Sequence, residues 1–231
     1  MKIQGLQKLT LLDYPGKLGC TIFTAGCNFR CPFCHNAALV TRIEDENDIP
    51  TEEVLAFLKK RKGMLEGVCI SGGEPLLQED IVDFIQQVKR LGYLVKLDTN
   101  GSDGDKLKTL VEEKWIDYVA MDIKNAPERY GETIGIQNAP IEQVLASVDF
   151  LLKDKVDYEF RTTVVREFHT REDIAEIGRW ITGAKRYFLQ KFEDSGDLIG
   201  IGCRTYSDEI MQQALGIVQE YVPNAQLRGI G

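Results

Sequence analysis

LGCTIFTAGCNFRCPFCHNA, Leu18 to Ala37, decides how the chain is read: a run rich in β-branched and aromatic residues leads straight into Cys27, Cys31 and Cys34, spaced C-x3-C-x2-C. A strand that delivers its chemistry to the loop at its C-terminal end is the habit of barrel-type α/β enzymes. An iron–sulfur cube needs a ligand for each of its irons, so three thiolates leave one iron for something other than protein. A catalytic zinc keeps an open position in the same way, whereas a structural zinc does not. The triplet predicts chemistry rather than a staple.

Outward from this stretch, short β-branched runs alternate with longer segments of helical period, the pattern of βα units around a parallel sheet. The first strand spans Leu18–Thr24, and a helix over Glu52–Lys62 follows with Thr51 as its cap. Gly67–Ser71 and Leu94–Thr99 are the next strands, separated by an amphipathic helix over Glu79–Arg90 in which Ile81, Phe84, Ile85 and Val88 share a face. A helix over Lys106–Lys114, a strand over Tyr118–Ile123 and a helix from Pro140 to Lys153 continue the alternation. Tyr158–Val165 is the fifth strand, HTRED offers Thr170 and Asp173 as a capping box, and Arg186–Gln190 is the sixth strand. Ser207 caps a last helix over Asp208–Tyr221, before the tail NAQLRGIG. A complete (β/α)8 barrel takes about 250 residues and eight units. About six units in this chain therefore predict an α/β fold, a partial (β/α)6 TIM-type barrel with an open side. One domain is expected over 1–231, with its core at about 11–205 and the C-terminal helix and tail at 206–231.

A net charge of -8 argues against a basic field for the phosphate backbone, so nucleic acid is not expected as a partner. No run approaches the roughly 20 apolar residues that span a bilayer, and the N-terminus lacks a signal-length apolar segment, so no membrane partner is expected and the cytoplasm is the expected compartment. Six unevenly placed cysteines fit reduced, metal-bound or buried thiols better than a disulfide scaffold. Cys20 and Cys69 fall inside strands as small buried hydrophobes, and Cys203 reads as a loop thiol.

The motifs fall at successive strand ends: the cysteine triplet after the first, GGEP (Gly72–Pro75) after the second and DTNG (Asp98–Gly101) after the third. In that order they resemble the radical S-adenosylmethionine (radical SAM) superfamily. DYPG (Asp13–Gly16), CHN (Cys34–Asn36) and MDIK (Met121–Lys124) are similar to the glycyl-radical-enzyme activating enzymes, and most of all to the anaerobic ribonucleoside-triphosphate reductase activating group. The likeness runs from about Leu11 to Phe192. It implies that Cys27, Cys31 and Cys34 hold a [4Fe-4S] cluster whose free iron is chelated by the amino and carboxylate groups of S-adenosylmethionine. Reductive cleavage to a 5′-deoxyadenosyl radical would follow. Abstraction of a hydrogen from a backbone glycine of a partner glycyl radical enzyme, anaerobic ribonucleotide reductase, would complete the reaction. Apart from Cys69 there is no cysteine between Cys34 and Gly72, so no cluster-bearing insertion is expected there, and flavodoxin or ferredoxin would reduce the one cluster directly.

Each motif also has a physical reading. Gly72 and Gly73 let backbone come close to a ligand, and Glu74 either orients that loop or meets the ammonium group of the cofactor. The resemblance sets Phe33 against adenine with the His35 backbone nearby, and gives Asp98 and Lys124 the amino-acid moiety. Asp98, Thr99 and Asp122 would offer oxygens to a monovalent cation. Arg161 and Arg166 are candidates to pair with a carboxylate, equally a structural one. The activating enzymes use a histidine after the sixth strand, but this chain has LQKFEDSG there, and Gln190 is the expected replacement. His169 precedes a helix and reads as a capping-region or surface residue. Two other readings stay open: a small-molecule radical SAM enzyme such as a 7-carboxy-7-deazaguanine synthase, and a non-catalytic module with zinc at the cysteines.

Overall fold

The computed structural model describes residues 1–230. Eight strands form one sheet in sequence order: β1 (Ile3–Thr10), β2 (Gly19–Thr24), β3 (Gly67–Gly72), β4 (Leu94–Thr99), β5 (Tyr118–Asp122), β6 (Asp157–Val164), β7 (Tyr187–Lys191) and β8 (Gln226–Arg228). β1 runs antiparallel to β2, and every later pairing is parallel. β2 to β7 are the six strands read from the sequence. The order ends at β1 and β8 without closing, which is the partial, open-sided TIM-type barrel.

Period-two alternation sorts the strand residues onto two faces. Val68 and Ile70 of β3, Val95 and Leu97 of β4, Val119 and Met121 of β5 and Tyr158 and Phe160 of β6 are buried in the main core. The helices cover that face. They are α1 (Ala37–Thr41), α2 (Thr51–Arg61), α3 (Ile81–Arg90), α4 (Gly104–Glu112), α5 (Tyr130–Ile134), α6 (Ile141–Leu151), α7 (Arg171–Trp180) and α8 (Asp208–Gln219). α3 buries Ile81, Phe84, Ile85 and Val88, the face its spacing predicts. The Thr170–Asp173 capping box of α7 and the Ser207 cap of α8 are both formed.

Four local expectations change. Thr51 lies inside α2 rather than capping it; Pro50 is the cap residue, its fixed φ suited to a helix start. The sheet reaches beyond the expected core at both ends. β1, IQGLQKLT, is an edge strand with a glycine, two glutamines and two register shifts, so its alternation was too weak to read. The supposed tail contains β8, whose Arg228 makes two bonds to the Glu159 carboxylate, at 2.9 and 3.1 Å, and stacks on Phe188 with its guanidinium carbon 3.4 Å from the ring centroid. α5, a single turn and a little more, carries no periodic signal at that length.

Glu159 is 2% exposed and also accepts from the Tyr118 hydroxyl at 2.8 Å, so β8 is fastened to a buried charge. Removing only the cationic partner of such a pair is costly. Arg228→Ala should lower the unfolding free energy by about 2 kcal/mol in equilibrium denaturation, a figure reduced from the fully buried case because Arg228 is partly exposed. A loss below about 0.5 kcal/mol would show that β8 adds nothing to the sheet.

Candidate active site

The cysteine loop leaves β2 at Thr24 and is held from three sides. Gly26 donates to the Leu39 carbonyl at 2.8 Å, Arg30 N to Ile134 O of α5 at 2.8 Å, and Gly200 N to Pro32 O at 2.8 Å. Phe29 packs edge-on against Tyr130, centroids 6.4 Å apart. Cys27, Cys31 and Cys34 thereby line one cavity of about 480 Å³ at the C-terminal ends of the strands. Burial pushes the Cys27 thiol up to about 11 and the Cys31 thiol up to about 12, with the Lys124 charge opposing the rise. Thiols so placed ionise when a metal takes them as ligands. Among the described residues no three His, Cys, Asp or Glu side chains gather closely enough for a single metal ion. In an iron–sulfur cube each iron takes its own thiolate, so three cysteines lining one cavity need not converge on a single point to hold it.

GGEP joins β3 to this loop. A Cβ on Gly72, whose φ is +116°, would lie 2.3 Å from Thr24 O, and one on Gly73 would lie 2.0 Å from Gly26 O. The glycines are thus needed for backbone to meet backbone: Gly73 N donates to Thr24 O and Glu74 N to Gly26 O, both at 2.8 Å. The Gly72 carbonyl accepts from the Asn36 side chain at 2.8 Å. Glu74 is fully buried and accepts from Leu76 N, Thr99 Oγ1 and Asn100 N at 3.0, 2.8 and 2.6 Å. Of its two expected roles it has the first, orienting the loop; its carboxylate is committed to β3 and β4 exits and does not line the cavity. Burial raises its pKa to about 7.

Asp98, Arg161, Asp122 and Lys124 line the cavity, and with buried Lys96 beside Asp98 they alternate in sign across the concave face. Lys96 pairs with Asp98, the Arg161 guanidinium reaches Asp98 at 3.3 Å and Asp122 at 2.8 Å, and Lys124 reaches Asp122 at 2.9 Å. Burial works against the Asp122 charge, but Arg161 and Lys124 hold its carboxyl well below the usual range. Asp122 in turn holds Lys124 protonated against the same burial. Of the residues expected to offer oxygens to a monovalent cation, Asp98 and Asp122 are bridged by Arg161, and Thr99 Oγ1 is bonded to Glu74 and Gly101 N. Among the charges that line the cavity, Lys124 and Arg161 stand against Asp13, Asp98 and Asp122, so the site holds both signs at fixed positions rather than a field of one sign.

Phe33, His35, Asp98, Thr99, Lys124 and Gln190 line the same cavity as the cysteines. Phe33 is buried and packs on Phe168 at 5.6 Å, while exposed His35 sits at the rim, edge-on to Phe192 at 5.7 Å. Arg161 makes the expected carboxylate pairs, whereas exposed Arg166 makes no ion pair among the described residues. His169 directly precedes the Thr170 cap, as a capping-region residue should, but it is not at the surface: it is 1% exposed and bonded through both ring nitrogens, because the chain folds back after β6 and packs it behind the cavity wall. Residues the sequence reading passed over also belong here. Asn100 reaches Cys27 Sγ at 3.8 Å and Asn28 Oδ1 at 3.0 Å, Ser71 donates to Asp98 at 3.1 Å, and Asp13 of DYPG lines the cavity while accepting from Thr21 at 2.5 Å. Their signal was position, the residues next to motif glycines and at strand ends. A larger cavity, about 700 Å³, opens at the opposite end of the barrel, but it holds none of the cysteines or the cavity-lining charges.

A family model described as the radical SAM superfamily matches residues 21–181. A Methanocaldococcus jannaschii protein provisionally named a glycyl-radical enzyme activating enzyme is 31% identical over 237 residues, covering 99% of this chain and 96% of its own. The pyruvate formate-lyase-activating enzyme of Staphylococcus aureus is 25% identical over 202 residues, covering 83% of this chain and 78% of its own. Among solved structures, Streptococcus suis SuiB bound to S-adenosylmethionine superposes with a TM-score of 0.71 at 17% identity over 89% of this chain, a likeness of fold; the chain spans 49% of that protein.

Glu74 carries a pH signature. Its carboxyl titrates at about 7 in the fold against 4.5 unfolded, so its contribution to stability is complete below pH 4.5 and is lost as the pH rises through about 7. Glu74→Gln removes that titration. The stability of the native protein relative to the variant should therefore fall between about pH 5 and about pH 8, measured by denaturant unfolding. An unchanged difference would show that Glu74 keeps its ordinary pKa.

Proposed function

The chain belongs to the radical SAM superfamily, and from that membership we propose that its partner is an anaerobic ribonucleoside-triphosphate reductase. The coarser statement needs no proposal: it is an enzyme of the glycyl-radical-enzyme activating kind, working with a [4Fe-4S] cluster and S-adenosylmethionine. The observation that carries the finer reading is the gathering of the C-x3-C-x2-C thiols, Asp98 and Lys124 at one cavity in a chain with DYPG and MDIK in place.

Cys27, Cys31 and Cys34 would hold the cluster. When bound, the reduced cluster and S-adenosylmethionine supply the one-electron chemistry that takes a hydrogen atom from a glycine of the partner. The rest of the task falls to this chain. Lys124, kept charged by Asp122, would meet the carboxylate of the cofactor, and Asp98 its ammonium. Arg161 keeps both aspartates ionised and fixed in place, so neither carboxylate must reorganise when a ligand arrives. Phe33 would pack against adenine, the His35 backbone and Gln190 would meet the cofactor at the rim, and Gly72 and Gly73 hold the β3 exit close enough to shape the floor. The open side of the barrel would admit a loop of the partner. Flavodoxin or ferredoxin would deliver the electron, since no cysteines lie between Cys34 and Gly72 except buried Cys69.

Anaerobically reconstituted protein should carry about four irons per chain and release 5′-deoxyadenosine from S-adenosylmethionine on reduction. Cys31→Ala should lose both; retained cleavage would place the cluster elsewhere. Incubation with a candidate reductase should give a glycyl doublet in electron paramagnetic resonance. A doublet with another glycyl radical enzyme and none with the reductase would reassign the partner.

A further inference from the structure

His169 has no part in the chemistry just described, yet it is buried behind the cavity wall with both ring nitrogens bonded. The ring is 1% exposed. Nδ1 lies 3.0 Å from Val165 N, which can only donate, and 3.2 Å from Val165 O, so Nδ1 is assigned as the acceptor of the closer N–H. The proton is then on Nε2, which donates to the Lys124 carbonyl at 2.8 Å. Burial lowers the pKa of the ring, in keeping with this neutral tautomer. Its edge meets the Phe33 ring at 6.3 Å, and its neighbour Phe168 packs on Phe33 at 5.6 Å.

One imidazole therefore touches the backbone of the β5 exit, the backbone of the β6 exit and the aromatic ring between the second and third cysteines. Asn125 ties the same two exits independently, donating to Phe168 O at 2.8 Å and to Thr133 Oγ1 at 2.7 Å. The exits would remain joined without His169. What His169 adds is the angle at which the Lys124 backbone leaves β5 and the support under Phe33.

We propose that His169 is a positioning residue for S-adenosylmethionine: its Nε2–H holds the Lys124 carbonyl and its edge supports Phe33, so the ammonium and the aromatic ring meet the cofactor as one preset surface. The inference rests on the reading above, in which Lys124 and Phe33 contact the cofactor. Preorganisation of this kind acts on affinity, because an ordered site does not have to be ordered by the ligand.

Asparagine and glutamine separate the two ring nitrogens. Asn at this position can accept from Val165 N but falls short of the Lys124 carbonyl, whereas Gln can place an amide N–H where Nε2–H stands. On reconstituted enzyme, iron per chain, thermal unfolding and S-adenosylmethionine affinity by titration calorimetry are compared for the native protein and for His169→Gln, His169→Asn and His169→Phe. All folded variants should keep native iron content. Asn and Phe should bind S-adenosylmethionine about tenfold more weakly, and Gln within about threefold of native. Native affinity in the Asn variant, or equal weakening in Asn and Gln, overturns the proposal; the Asn and Gln pair decides the matter if Phe does not fold. Native enzyme that binds no S-adenosylmethionine would bring down the functional reading and this inference with it, whereas failure of the inference alone leaves native binding intact.

Discussion

The guanidinium of Arg161, held between Asp98 and Asp122, is the interaction on which the site depends. Closed barrels of this architecture fill their interior with branched apolar side chains. Here the concave face carries Lys96, Asp98, Arg161, Asp122 and Lys124, none of them well exposed. Charges buried singly would be prohibitive, but alternation of sign lets each meet an opposite neighbour with a hydrogen bond. Breaking the series at Arg161 would leave two carboxylates facing one another with only lysines at the flanks. The polar interior stores a fixed electrostatic pattern, and under the proposed reading a cofactor with one anionic and one cationic end would find both complements already in position.

That pattern becomes a site only because three strand exits are drawn together. Gly72 and Gly73 let the β3 exit touch the β2 exit at distances no Cβ would permit, and Glu74 then fastens both to β4 through Leu76 N, Thr99 and Asn100. Asn100 in turn reaches the Cys27 sulfur. A second fastening runs from α5 to the cysteine loop through Ile134 and Tyr130. The thiols and the charges thus share one cavity although they are distributed from Cys27 to Arg161 along the chain.

The motifs were legible because their chemistry is local. Three cysteines at fixed spacing, glycines at a strand end and a Thr–Asp capping box each carry their reason within a few residues, and the structure bears out the six parallel strands and the α7 cap. Long amphipathic helices were read correctly where the apolar face was continuous, as in α3. Weakly patterned pieces were not: β1 is an edge strand with register shifts, and β8 is three residues whose place depends on a buried glutamate far away in sequence.

Residue types and their spacing alone determined that the chain is a βα-repeating protein with a thiolate triplet at the first barrel strand's end. Only the tertiary structure decided what the neighbouring polar residues do. Glu74 ties loops together, Arg161 bridges the two aspartates named for a cation, and His169 lies buried in the wall behind Lys124 rather than at the surface. The reason is physical: a carboxylate or an imidazole has the same identity in sequence whether its partner is water, backbone or ligand. Which partner it has is set by contacts between residues 25 to 63 positions apart, as between Glu74 and Thr99, Lys124 and His169, or Asp98 and Arg161.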